Sequence, residues 1–283
     1  MRSRLTGYDV GALLYCPANA HGSIVGAIVE QRFPTPYSLA FCLEDTVRED
    51  AVADAERMLR GTLSRIASAA EGGSFFLPPI FVRVRSPEQL LRLAEEYFYM
   101  PVFESAAMIP PQTRREALTE VRAQLDTVSG SILNIRVGGN DLSHAFGLRR
   151  PANRTIYDLR PVADILIDIV AAFGTQYVVS GPVWEYYSGE GWEEGLRREM
   201  ELDLLNGFTG KTVIHPNQIP VVNEMLRVSH QDYADARAIL NWDTGSGSLV
   251  SASEDGGRMN EYNTHSRWAR RIVLRAERYG VRA

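Results

Sequence analysis

The chain has 283 residues, of which 45% are hydrophobic and 23% charged, with a formal net charge of −5 at pH 7. That is an ordinary globular composition, long enough for one large domain with a short appendage, and its negative balance argues against nucleic acid as the main partner. The first residues lack the unbroken apolar stretch of a signal peptide, and nowhere do about 18 apolar residues run together, so the expectation is a cytoplasmic protein with no membrane span.

Short β-branched or aromatic runs alternate with longer helical patterns, which favours a parallel sheet or barrel. Strands are expected at residues 12–16, 38–43, 80–84, 100–103, 132–137, 177–180 and 212–214. Cys16 and Cys42 fall in two of these runs without CxxC spacing and read as buried free thiols. Ala117, Leu118, Val121, Leu125 and Val128 recur at helical spacing, as do Val162, Ile165, Leu166, Ile169, Val170 and Phe173. Seven strands are one short of a closed eight-stranded barrel, and the gap falls near residue 96, where a helical pattern runs into the next strand without turn residues. Residues 243–257 are rich in Gly and Ser and read as a flexible linker or lid loop. The expected division is therefore a barrel domain over 1–242 and an appendage over 243–283. In the terminal helix Trp268, Ile272, Ala276 and Tyr279 share a face, while Arg267, Arg270, Arg271, Arg275 and Arg278 crowd the rest. A docked helix with a solvated basic side is the simpler reading, an anion-binding or subunit contact the other.

Charged groups collect where the strands stop. The run from 37 to 43 ends on Glu44 and Asp45, the run from 79 to 82 on Arg83 and Arg85, the run from 99 to 103 on Glu104, and the run from 133 to 137 on Gly138, Gly139 and Asp141. Polar groups at strand C-termini are how parallel α/β enzymes build active sites. Five histidines and two cysteines show no zinc spacing, so a hard, oxygen-loving cation is favoured over zinc. Mg²⁺ uses one or two carboxylates plus water and substrate, which Glu104 and Asp141 could supply, although surface acids at loop starts are the plainer alternative. Arg83 could equally serve as a strand-end ion pair with Glu44 or Asp45. Gly-Phe-Thr-Gly-Lys-Thr at 207–212 is no phosphate loop, because position 205 is leucine and a strand follows. A dinucleotide fingerprint and a nucleophile elbow are also missing.

The ordered set Leu-Glu-Asp-Thr-Val at 43–47, Val-Arg-Val at 82–84, Phe-Glu-Ser-Ala-Ala at 103–107, Gly-Gly-Asn-Asp-Leu at 138–142 and Gly-Lys-Thr-Val-Ile-His-Pro-Asn-Gln-Ile at 210–219 resembles the citrate lyase beta-subunit-like branch of the HpcH/HpaI aldolase/citrate lyase family. Gly-Pro-Val-Trp-Glu-Tyr-Tyr at 181–187 is similar to a divergent subgroup found beside tellurium-resistance and stress genes. The resemblance implies a TIM (β/α)8-type barrel of the phosphoenolpyruvate/pyruvate-binding kind, with one strand lacking or omitted near residue 96. It also implies Mg²⁺, or Mn²⁺ in its place, held by Glu104 and Asp141; a catalytic Arg83 supported by Glu44 and Asp45; and a homo-oligomer.

The resulting expectation is a carbon–carbon lyase or aldolase acting next to a carbonyl on a small anionic 2-oxo or 3-hydroxy acid, with Arg85, Gly138, Gly139, Arg149 and Trp184 lining the substrate. Arg85 stands where the family has asparagine and favours a more anionic ligand. The departure at 181–187 weighs against an acyl-coenzyme A. His215 reads as a structural imidazole rather than a base. A barrel that has lost turnover and serves as a ligand-binding or assembly subunit is the alternative.

Overall fold

The computed structural model describes residues 5–19, 23–86, 88–89, 98–243, 245 and 247–282. It divides into two compact units, Met1–Val222 and Asn223–Ala283.

The first unit is built on parallel strands. β1 (Ala12–Pro17), β2 (Ser38–Cys42), β3 (Ile80–Arg83), β6 (Val179–Gly181) and β7 (Phe208–Val213) form one sheet in the order β3-β2-β1-β7-β6. β4 (Val102–Phe103) pairs in parallel with β5 (Arg136–Val137), and a parallel bridge from Ile135 to Val179 carries β5 onto β6. The wall therefore runs β3-β2-β1-β7-β6-β5-β4, which is a TIM-type barrel. Among the described residues no pairing joins β3 to β4; the strand gap expected near residue 96 lies outside the described residues.

Helices coat the outside: α1 (Ile24–Val29), α2 (Val52–Gly72), α3 (Pro111–Thr127), α4 (Gly139–Ala145), α5 (Arg160–Phe173), α6 (Trp192–Leu205) and α7 (Gln218–Leu226), the last crossing the division between units. α3 and α5 each start with proline in the first turn, where its missing N–H costs nothing. Alternation along each strand sends one row outward and one inward. Phe103, Ile135, Val137, Val179 and Phe208 point outward and bury against Val162, Ile165, Leu166, Ile169 and Phe173 of α5. Each such side chain contributes about 1.5–3 kcal/mol when fully buried. Leu13, Tyr15, Ala40, Phe81 and Met100 form a second, inward cluster.

β7 begins four residues earlier than the sequence suggests. Its middle carries Lys211, a residue atypical of a strand core, whose ammonium passes outward to α6 and sits 2.7 Å from both Glu199 and Asp203. Arg150 Nε lies 3.0 Å from the other oxygen of Glu199, the Tyr157 hydroxyl donates to Asp203 at 2.7 Å, and the Ile156 N–H donates to Glu199 at 2.7 Å. All four charges are buried. Burial pushes the Asp203 carboxyl up against the pull of Lys211. Two cations and two carboxylates thus neutralise one another and tie the 150–158 loop to α6 and β7.

In the second unit α8 (His230–Leu240) packs on α9 (Tyr262–Tyr279) through Ala236, Ile239, Ala269, Ile272 and Ala276. Ser229 caps α8 by accepting from the Asp232 N–H at 3.1 Å. The two units meet at 222/223, ahead of α8, which buries its apolar face against α9. β8 (Val250–Ala252), inside the Gly/Ser-rich stretch, and β9 (Met259–Glu261), just beyond it, form an antiparallel hairpin. Arg258 reaches Asp232 at 2.9 Å and lies 5.4 Å over the Trp268 ring. Both cysteines are free, and among the described residues no helix is long and apolar enough to cross a membrane.

Removing one partner from a buried charge network leaves an uncompensated charge, so Lys211→Ala should cost about 3–5 kcal/mol, read as a lower urea midpoint. An unchanged midpoint would show that Glu199 and Asp203 are neutral without it.

Candidate active site

Three neighbouring parts of the wall deliver charge to one place. Arg83, the last residue of β3, has a side chain only 16% exposed and ion-pairs with Glu44 and Asp45 beyond β2 and with Glu104 beyond β4; its contact with Asp45 is 2.7 Å. Asp141, in the first turn of α4, is exposed and close enough to push up the carboxyls of both Glu44 and Glu104. Three carboxylates therefore pair with one guanidinium, and a fourth, Asp141, acts on two of them. Burial, more than these neighbours, raises Glu104 from the usual carboxylate value of 4.5 to about 7, against the opposing pull of Arg83. Glu44 is raised for the same first cause. Arg83 in turn is held firmly protonated: its burial works against the charge, but Glu104, Glu44, Tyr15 and Asp45 outweigh it.

Gly138 and Gly139 serve this packing. A Cβ at 138 would overlap the Glu104 carboxylate, and one at 139 would stand 2.6 Å from Pro182 and 2.8 Å from Ile156. Both glycines therefore let protein side chains approach closely. A cavity of about 520 Å³ opens beside the cluster, with Glu44, Arg83 and Glu104 at its charged end and Val82, Met100, Pro101, Val102, Leu125 and Ile132 among its walls. That volume suits a small ligand with an apolar portion.

Of the remaining sequence candidates, Arg85 stands beside the cluster and the others make different contacts. Arg85 donates to the carbonyls of Glu44 (2.9 Å) and Val47 and braces the loop that carries Glu44. Arg149 is exposed and pairs with Glu185 at 3.3 Å. Trp184 is 0% exposed, its indole N–H donating to the Trp192 carbonyl at 3.1 Å and its ring lying 5.1 Å beneath the Arg150 guanidinium; it is a packing residue with no face left for substrate. His215 accepts from the Asn217 N–H at 3.1 Å and stacks on Tyr187 with ring centroids 4.5 Å apart, a structural arrangement. Cys16 is pushed up to about 11 by burial and is no nucleophile.

Among the described residues, no three His, Cys, Asp or Glu side chains come together as a ligand set for one ion. The donors nevertheless fit a hard cation that takes two carboxylates and completes its shell from water and substrate. Glu104 and Asp141 are adjacent, their oxygens are hard, and the cluster carries an excess of negative charge.

Sequence reasoning passed over Tyr15, Arg136 and Thr212. Arg136 donates to the Thr212 hydroxyl, which links β5 to β7 across the barrel interior, and the hydroxyl of Tyr15 feels Arg136, Arg83 and Glu104. The signal was present: in Asn-Ile-Arg-Val-Gly at 134–138, alternation puts Arg136 on the same face as Gly138.

A family model described as C–C bond lyase of the TIM-barrel fold matches residues 4–99 and 92–281, two segments that meet where the sequence pattern is interrupted. A curated (3S)-malyl-CoA thioesterase of Cereibacter sphaeroides strain KD131 is 26% identical over 94% of this chain and 94% of its own length, and the same enzyme of strain ATCC 17023 is also 26% identical over the same shares. A crystal structure of CitE from Mycobacterium tuberculosis in complex with magnesium, acetoacetate and coenzyme A superposes with a TM-score of 0.60 at 23% identity, covering 95% of this chain and 98% of that one.

Because Glu104 titrates at about 7 in the folded chain against 4.5 for an ordinary carboxyl, its protonated form favours folding. In metal-free protein this stabilisation is complete below about pH 4.5 and is lost as pH rises through about 7. Urea midpoints across that range should fall with pH in wild type and fall less in Glu104→Gln. Equal slopes would place the Glu104 titration in the normal range.

Proposed function

As the chain belongs to the family of TIM-barrel carbon–carbon bond lyases, we propose that it is a Mg²⁺-dependent lyase or aldolase, with Mn²⁺ able to substitute, acting on a small anionic 2-oxo or 3-hydroxy acid. The observation that carries the reading is the strand-end cluster, in which Arg83 and an excess of carboxylate face one cavity. Glu104 and Asp141 would hold the ion, which when bound supplies Lewis-acid stabilisation of charge on the substrate's carbonyl oxygen.

The chain's own groups do the rest. Arg83 presents fixed N–H donors to the oxygen on which negative charge grows as the carbon–carbon bond breaks, an interaction that strengthens as the reaction proceeds. Glu44 and Asp45 hold that guanidinium in place, and Arg85 fixes the loop bearing Glu44 through its carbonyl. The apolar wall of the cavity excludes water from a carbanion that water would protonate early. Lysine at position 83 could not reach three carboxylates and a substrate at once.

A coenzyme A thioester stays in the substrate panel, because the curated relatives are malyl-CoA thioesterases. Action in the cytoplasm as a homo-oligomer completes the proposal.

The test is calorimetric titration of Mg²⁺ and Mn²⁺ into wild type and Asp141→Ala, repeated with pyruvate, oxaloacetate, acetyl-coenzyme A and malyl-coenzyme A. Metal binding that requires Asp141 and tightens with a 2-oxo acid is the expected result. Absence of metal binding under every condition would remove the lyase reading and leave a barrel kept for another purpose.

A further inference from the structure

The interior of a TIM barrel is ordinarily filled by layers of bulky apolar side chains. Here the inward row of β5 reads Asn134, Arg136 and Gly138, and Gly138 lies under Glu104 in the layer of the candidate active site. Arg136 stands one layer below. It is 2% exposed, one terminal nitrogen donates to the Thr212 hydroxyl, and the other, Nη1, is buried with no hydrogen-bond partner among the described residues. The ionisable groups that act on it are the Tyr15 hydroxyl and Arg83, so it faces a like charge and no carboxylate. Contrast Arg150, equally buried but paired with Glu199.

A guanidinium taken out of water needs a counter-charge and satisfied donors. Arg83 has three carboxylates; among the described residues Arg136 has none. Two hydroxyls neighbour the guanidinium: Thr212, which accepts from its other terminal nitrogen and keeps its own proton to donate, and Tyr15, which burial holds protonated and which acts on Arg136 electrostatically. A buried guanidinium with one unused terminal nitrogen, beside two hydroxyls that can each donate, has the donors an anion needs.

We propose that Arg136, Tyr15 and Thr212 form a second oxyanion subsite inside the barrel, beneath Arg83, that receives the remote carboxylate or phosphate of the substrate. The substrate is then a dianion, one end at the Arg83 cluster and the other at Arg136. The proposal deepens the lyase reading and rests on it only for the chemistry at the first end.

The test uses the whole chain in EDTA, with malonate and inorganic phosphate as probes in calorimetry. One of the two should bind once per chain, tighter malonate identifying a carboxylate site and tighter phosphate a phosphate site. Arg136→Met should weaken that binding by about tenfold or more, since a charge-assisted fork is lost. Its melting temperature should hold or rise, because an uncompensated buried charge is replaced by an apolar chain. Arg136→Lys, which keeps the charge without the fork, should bind with intermediate affinity. The proposal is overturned if wild type takes up neither anion, if Arg136→Met binds as well as wild type, or if both variants unfold, which would make Arg136 a structural cation. Mg²⁺ titration of the same samples reads the Glu104 and Asp141 site separately. Failure there with anion binding intact sinks the lyase reading alone.

Discussion

Arg83 reaches from the end of β3 to carboxylates delivered by two other strands, and the shape of the site follows from that one reach. Glu44 and Asp45 come from the loop after β2, Glu104 from the end of β4, and the guanidinium between them spans the edge where no pairing joins β3 to β4 among the described residues. Among the described residues it is side chains that connect β3 to β4. The close approach also explains Gly138, since any side chain there would displace Glu104. Burial first, and then the neighbouring carboxylates, raises Glu104 to about 7 against the pull of Arg83, and the acids outnumber the guanidinium they pair with, which suits the cluster to a divalent ion.

A second charge cluster, built from the same types of residue, does something different. Lys211 lies in the Gly-Lys-x-x-Ile-His-Pro stretch that is the most specific sequence mark of the resemblance, yet its ammonium points away from the barrel interior, into a dry pairing with Glu199 and Asp203. His215 and Gln218 of the same stretch also make structural contacts: His215 stacks on Tyr187, and Gln218 donates to the Trp184 and Tyr186 carbonyls at 2.9 Å. The contrast between the two clusters is one of balance. Around Lys211 charges match and solvent is excluded, which holds the fold; around Arg83 they do not match and a cavity adjoins, which invites a ligand.

Much of this is legible in the sequence, for physical reasons. β2 is a continuous apolar run because a parallel strand is buried on both faces, and α5 shows its 3.6 period plainly because one side faces the core. Glu44, Arg83, Glu104 and Asp141 are visible because a charge that abruptly ends an apolar run marks a strand's C-terminus. β7 is misplaced because Thr209 and Lys211 are buried polar residues, and the partners of Lys211 on α6 cannot be read locally. Trp184 passes as a ligand platform until Arg150 is seen lying over it, and Arg136 hides inside an apolar run unless the alternation is followed to the inward face. In each case the missing information is a contact between residues far apart in sequence.

The central claim is that the strand-end carboxylates and Arg83 make a cation-dependent site that stabilises charge next to a carbonyl. The most direct measurement is exchange of the methyl protons of pyruvate with deuterated solvent, followed by proton NMR with Mg²⁺ and again after EDTA, for wild type and Asp141→Ala. Exchange that requires both the ion and Asp141 is the expected result. Lack of exchange in wild type with Mg²⁺, or exchange that survives both EDTA and the substitution, would contradict it.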